Sequence, residues 1–435
     1  MANILLIYPE PEEIKDCRFG FSLRLLYLSS ILKQAGHKVR LMDFSMEEYK
    51  TEKFISALPS TDVVIIEFDS FPLKRTININ SGENLIKVIK ENKREIKIIA
   101  FGYDCALFPR KIEHADYTFT TEPEKAINQL IELLLMEKNF LINELKMEIY
   151  ENLDVLPFPD RAILLPYVEY GGTITKKPNL AKSTLLETSR GCLNSCSFCH
   201  RKGWLSKYRE HSIDYVAEEF RTIHDNKYSN VWITDDNFTF NLTRAKNLLH
   251  GLISSKVTDG MKIALSSWIN IDREFLELAK EANISLISFG IESTSQEILK
   301  IYKKDIDLNK TEELIRFADN LGIYTVGNFI IGAPMETVQT IDDTFKYTMK
   351  VPFDQINIKI LNYMAGSELY NNLPQEMTKQ QRHIFACKET GLNDFPLNYL
   401  KNRINQQYQR FSENRRVHFL IKAAKYGLPY KIREK

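Results

Sequence analysis

The chain has 435 residues, 44% of them hydrophobic and 26% charged, enough for two or three domains with well-buried cores. Its 58 lysines and arginines nearly cancel its 57 aspartates and glutamates, which argues against a nucleic acid or an anionic membrane as the main partner. No apolar stretch approaches the roughly 18 residues of a membrane span, and Met1 to Pro9 lacks the basic start of a signal peptide, so a cytoplasmic location is expected.

Asn3 to Tyr8, Lys38 to Phe44, Asp62 to Phe68, Ile96 to Gly102 and Tyr117 to Thr120 are short apolar runs that predict buried parallel strands. Between them, Leu23 to Gln34, Asn84 to Glu91 and Glu124 to Met136 carry apolar residues at helical spacing, and Gly36 is placed to close the first helix. The alternation predicts a doubly wound α/β domain over residues 1–140 that takes any ligand at the carboxyl ends of its strands. Residues 141–182, with Leu156-Pro-Phe-Pro-Asp160, Pro166, Gly171, Gly172 and Pro178, lack sustained periodicity and read as a linker.

A second alternation follows. Strands are predicted at Thr184 to Thr188, Asn230 to Thr234, Lys262 to Ser267, Ser285 to Gly290, Tyr324 to Gly332 and Asp354 to Leu361. Helical patterns separate them at Ile213 to Asp225, Thr243 to Ile253, Arg273 to Glu281, Thr311 to Asn320 and Thr337 to Lys350. Six such units over residues 183–365 predict a partial (β/α)6 barrel of TIM type, with its catalytic groups at the C-terminal ends of the strands. Residues 366–435 read as a helical, basic tail without a strand pattern, in which Asn414 to His418 is a solvated helix face.

Three of the six cysteines, Cys192, Cys196 and Cys199, lie in one short stretch at C-x3-C-x2-C spacing, with Phe198 before the last. Three thiolates on one loop hold three corners of a [4Fe-4S] cube and leave the fourth iron open to a small chelating molecule. Zinc is the alternative, but structural zinc takes four ligands in two pairs; no second pair is present, and His200 is the one adjacent candidate. Cys17, Cys105 and Cys387 lie far apart in sequence and read as free thiols of a reducing compartment.

The cysteine motif after the first barrel strand resembles the signature of the radical S-adenosylmethionine (SAM) superfamily, over roughly residues 181–370. The resemblance implies that SAM chelates the open iron through its amino and carboxylate groups and is cleaved to methionine and a 5'-deoxyadenosyl radical, isolated in the barrel interior. It implies cofactor contacts for Phe198 and for Asp235 and Asp236, which follow the second barrel strand; capping of the next helix is the other reading of these carboxylates. Gly290-Ile-Glu292-Ser293 is similar to the family's ribose motif, and Asn328-Phe-Ile-Ile-Gly332-Ala-Pro-Met-Glu336 to the segment that passes close to adenine. Helix capping by Ser293 and a plain strand-to-helix turn at Gly332 are the structural alternatives. Ser267, or Ser266 in the register one residue away, faces the same rim. Tyr208-Arg209 reads either as a charge near the cofactor or as a solvated pair.

With its doubly wound domain in front, the chain resembles the cobalamin-binding group of this superfamily. The matching segments are Asn3 to Pro9, Leu26 to Leu32 with Ala35-Gly-His-Lys-Val39, Asp43, Ile65 to Ser70, Ile98 to Gly102, Thr121-Glu-Pro-Glu124 and the Leu156-Pro-Phe-Pro of the linker. The resemblance implies a bound cobalamin, with Ser70 and Gly102 among its contacts. Two departures stand out: no Asp-x-His-x-x-Gly motif supplies a histidine under the cobalt, and a pair of glycines is reduced to Gly102-Tyr103. A domain kept for packing alone is the alternative.

The expected function is a cobalamin-dependent radical SAM C- or P-methyltransferase acting on a small-molecule or peptide substrate, served by an electron donor such as flavodoxin or ferredoxin. A cobalamin-independent radical rearrangement or cyclisation is the second reading, and a non-catalytic iron-sulfur or zinc regulator the third.

Overall fold

The first five apolar runs form one parallel sheet: β1 (Asn3–Tyr8), β2 (Lys38–Asp43), β3 (Val63–Glu67), β4 (Lys97–Phe101) and β5 (Tyr117–Thr118), in the order β2-β1-β3-β4-β5. The structure is a computed structural model that describes residues 1–12, 21–68, 78–107, 112–137, 145, 147–164, 183–201, 207–379 and 381–426. The period-two pleat divides β1 between two cores. Ile4, Leu6 and Tyr8 pack with the helices Leu23–Gln34 and Ile127–Leu135, whereas Leu5 and Ile7 pack with the helix Ile79–Asn92. Ser22 caps the first helix by accepting the Leu25 N–H at 3.4 Å, and Gly36 closes it at φ +86°, a conformation that costs glycine nothing.

The helix predicted at Asn84 to Glu91 begins earlier, at Ile79, and runs through Gly82. That glycine is needed for close packing: a Cβ there would collide with the Phe68 ring and come to 3.2 Å of Pro9 Cγ. Helix propensity alone favours alanine over glycine by about 1 kcal/mol. Overpacking costs about 1–3 kcal/mol, so Gly82→Ala is expected to lower the midpoint of chemical unfolding.

The chain divides into two compact units, Met1–Arg190 with Gly203–Thr234, and Gly191–Lys202 with Asp235–Lys435. In the first unit, the described part of the segment read as a linker packs into the core through Leu153, Leu156 and Leu164. Arg161 from the same segment is buried against Glu219 at 2.6 Å, on the helix Ile213–Asp225. β6 (Ser183–Leu186) pairs in parallel with β9 (Asn230–Ile233). Between them, β7 (Ser189–Arg190) and β8 (Arg209–Glu210) form a short antiparallel pair.

In the second unit, β10 (Lys262–Trp268), β11 (Ile284–Glu292), β12 (Tyr324–Ile331) and β13 (Gln355–Ile360) are parallel neighbours in sequence order. The whole barrel sheet has the order β13-β12-β11-β10-β9-β6, six strands as the second alternation predicts. The fold is α/β, with two parallel sheets flanked by helices and a largely helical C-terminal region.

That region departs from expectation twice. β14 (Asn362–Met364) pairs antiparallel with β15 (His383–Phe385), a strand too short to leave a period in the sequence. The helix Leu397–Tyr426 turns part of the face read as solvated inward: Arg415 donates to the carbonyls of Met349 and Val351, at 2.7 and 2.6 Å, and His418 lies 3.3 Å from Asp319. Among the described residues, no helix is long and apolar enough to cross a membrane.

Candidate active site

Gly191, at φ +87°, turns the chain out of β7 into the cysteine loop, where Cys192, Cys196 and Cys199 are partly buried and free of disulfides. The loop is pinned at Ser197, whose N–H and hydroxyl donate to the carbonyls of Tyr302 and Ile301, at 3.2 and 2.6 Å, and whose carbonyl accepts the Leu369 N–H at 2.9 Å. The Phe198 ring meets Tyr302 edge-on at 5.0 Å. Phe198 is therefore part of what holds the loop's shape.

Burial pushes the Cys196 thiol up to about 12 and raises that of Cys192 as well. A metal must displace these protons to bind, so binding weakens in acid. The donor set fits an iron-sulfur cube better than a single ion. Among the described residues, the one group of three or more candidate ligands whose donor atoms lie within 4.8 Å of one another is Asp319, Asp354 and His418. Three thiolates on one loop, without a second pair of ligands beside them in sequence, suit a cube with one open corner better than a four-ligand zinc site.

The strand ends bring several of the expected residues to this unit. Asp235 is buried after β9, and Asp236 forms an ion pair with Arg201, just past the cysteines. Glu292 ends β11 at φ +68°, a conformation rare for a side-chain-bearing residue, and its carboxylate accepts Lys304 Nζ at 2.9 Å. Lys304 also donates to the Gly290 carbonyl at 2.9 Å and lies 4.6 Å from the centre of the Trp268 ring. A Cβ on Gly290 would fall 2.5 Å from the Glu292 carboxylate and 2.9 Å from Lys304 Nζ, so the motif's glycine makes room for this pair. Ser293 is buried and accepts the Ser295 N–H at 3.1 Å, whereas the helix Gln296–Ile301 is capped by Ser295.

The pleat separates the two serines of β10. Ser266 aligns across the sheet with Ser288 and shares the less buried face with Trp268; Ser267 lies on the other face, 2.6 Å from the Thr239 hydroxyl. Asn328 donates to Ser288 Oγ and the Phe289 carbonyl, at 2.8 and 2.9 Å, and accepts from Asn357 at 3.1 Å, which makes a polar row across β11, β12 and β13. Gly332, at φ +88°, donates its N–H to Glu336 at 3.0 Å; burial raises the Glu336 carboxyl. Sequence reasoning missed Lys304, Trp268 and Asn357, because nothing local marks them apart from ordinary surface or core positions.

In the first unit, Gly102 follows β4 at φ +127° and leads into the buried Tyr103; Ser70 lies outside the described residues. The Thr121-Glu-Pro-Glu124 segment after β5 has a partner that the sequence did not reveal. Glu122 and Glu124 bond Arg190 at 2.7 and 2.8 Å, Glu187 bonds it at 2.6 Å, and Arg24 bonds Glu124 at 3.1 Å. Arg209 is buried here too, bonded to Glu122 and to the Tyr150 carbonyl, so it is not a solvated residue. Three arginines and three glutamates balance.

Comparison with known proteins agrees with this construction. Residues 186–348 match the model of the radical SAM superfamily. An uncharacterized methyltransferase of Pyrococcus horikoshii is 26% identical over 396 residues, 85% of this chain and 83% of that protein. The cytidylyl-2-hydroxyethylphosphonate methyltransferase of Streptomyces wedmorensis is 30% identical over 193 residues, 42% of this chain and 36% of that one. Among solved structures, the radical SAM methyltransferase TsrM of Kitasatospora setae, with cobalamin and a [4Fe-4S] cluster bound, superposes with a TM-score of 0.69 at 15% identity, covering 88% of this chain and 79% of that one. The cysteine loop, the parallel sheets and the doubly wound domain lead to one assignment: residues 186–348 form a domain of the radical SAM superfamily, in a chain that shares the fold of the solved cobalamin- and cluster-bound TsrM.

Proposed function

We propose that the protein is a cobalamin-dependent radical SAM methyltransferase that methylates an unactivated centre of a small-molecule or peptide substrate. The observation that carries this reading is the combination, in one chain, of a three-cysteine loop, a parallel barrel sheet and a five-stranded doubly wound domain, with an uncharacterized methyltransferase relative matching 85% of the chain. When bound, the cluster supplies the electron that cleaves SAM, and cobalamin carries the methyl group.

The chain's own residues bind and orient. Cys192, Cys196 and Cys199 would hold three irons, and Phe198 braces their loop through Tyr302. Glu292, fixed by Lys304, would take the ribose hydroxyls, and Asn328 and Gly332 would lie at the adenine. Asp235 and Asp236 would take the methionine part, Ser267 and Ser293 would support the rim, and Gly102 would line the cobalamin site. A cytoplasmic setting with flavodoxin or ferredoxin as reductant completes the proposal.

The test is anaerobic reconstitution with iron, sulfide and hydroxocobalamin, removal of excess, and a visible spectrum, followed by incubation with reductant, SAM and candidate substrates. Retained cobalamin, with 5'-deoxyadenosine and S-adenosylhomocysteine formed together, is the expected result. A protein that makes 5'-deoxyadenosine but retains no cobalamin overturns methyl transfer and leaves cobalamin-free radical chemistry.

A further inference from the structure

β7 and β8 pair Ser189 with Glu210 and Arg190 with Arg209, so the loop that carries the three cysteines is bounded on both sides by this pair. Arg190 and Arg209 are the two feet of that loop. Both bond the same carboxylate: Glu122 accepts from Arg190 Nη1 at 2.7 Å, and from Arg209 Nη1 at 3.2 Å and Nη2. Glu124 and Glu187 bond Arg190, but Glu122 alone of the three bonds both feet. It is buried, and it comes from the segment after β5, 68 and 87 residues away in sequence from the groups it holds.

We propose that Glu122 is a positioning residue for the iron-sulfur loop, holding its two feet together and thereby presetting the spread of its thiolates. Fixing the ends of a loop removes conformations that metal binding would otherwise have to freeze out. Groups behind metal ligands typically change affinity by about 10–100-fold when removed. This inference rests on the assignment of Cys192, Cys196 and Cys199 as cluster ligands.

The full-length protein and its Glu122→Gln and Glu219→Gln variants are reconstituted anaerobically. Iron per chain, the rate of iron loss to a chelator, and the electron paramagnetic resonance spectrum of the reduced cluster with and without SAM are then measured. Glu219→Gln is the control, because it removes the partner of buried Arg161 in the same unit without touching either foot. Glu122→Gln is expected to speed iron loss about tenfold or more and to alter the spectrum, with Glu122→Asp restoring part of the retention, while Glu219→Gln behaves as wild type. Should Glu122→Gln fail to fold, Arg209→Gln frees one foot and leaves the bond to the other. Iron held by a foot variant as tightly as by wild type, or lost equally from Glu219→Gln, overturns the proposal. A wild-type chain that binds no iron overturns the ligand assignment instead.

Discussion

Cys196→Ala is expected to leave the protein folded and chemically inert. The thiol is partly buried in a loop that Ser197 fastens to the Ile301 and Tyr302 carbonyls, so the backbone stays in place when one sulfur is removed. With two thiolates left, a second iron of the cube has no protein ligand, and the open corner that selects SAM is no longer unique. A direct ligand matters more than the groups behind it, so 5'-deoxyadenosine formation should fall by on the order of 10³-fold or more. Iron content should fall with it, while the circular dichroism spectrum and unfolding midpoint of the apo protein stay near wild type. Unchanged iron in Cys196→Ala would contradict the ligand set.

Arg190→Met is expected to have the largest effect on stability. The guanidinium is 1% exposed and bonds Glu122, Glu124 and Glu187; methionine fills much of the volume and leaves three buried carboxylates with only Arg24 and Arg209. Removing one partner of a buried ionic group costs about 3–5 kcal/mol, because the remaining charge is stranded. In a unit of this size that is a fall of about 10 °C in its melting temperature. The acid response should change too. Burial pushes the Glu122 carboxyl up, but Arg190, Arg24 and Arg209 outweigh it and hold it at about 2, below its ordinary 4.5. A depressed carboxyl contributes stability that is complete above about pH 4.5 and is lost as the pH falls toward 2. In Arg190→Met the folded-state value rises toward 4.5, so the slope of melting temperature against pH in this window should flatten. An unchanged slope would show that other carboxylates set the acid response.

What the sequence revealed follows the range of the interactions. The strands and helices were legible because burial imposes a period on neighbouring residues, and the cysteine motif because its three donors share one loop. The ion cluster was not: the partners of Glu122 and Glu124 stand 66 to 100 positions away, a distance over which charge alone does not choose among many arginines. The Phe68 ring that requires Gly82 leaves no mark in the local sequence. For Ser266 and Ser267, the alternation fixed that one faces each side, and only the register with Ser288 assigned which.

The helix Leu397–Tyr426 also bears on how this chain can be handled. β13 is the terminal strand of an unclosed barrel, and Tyr408 from that helix engages both sides of one residue on it, taking the Ile358 N–H at 2.7 Å and donating to its carbonyl at 3.3 Å. Lys422, a few turns on, is buried against Asp354 at 2.6 Å, just before β13 begins. A bare strand edge is a template for another chain. The last helix is therefore a stopper as well as a wall: cutting the gene ahead of Leu397 to obtain a minimal catalytic core would yield a protein that sticks to its own copies.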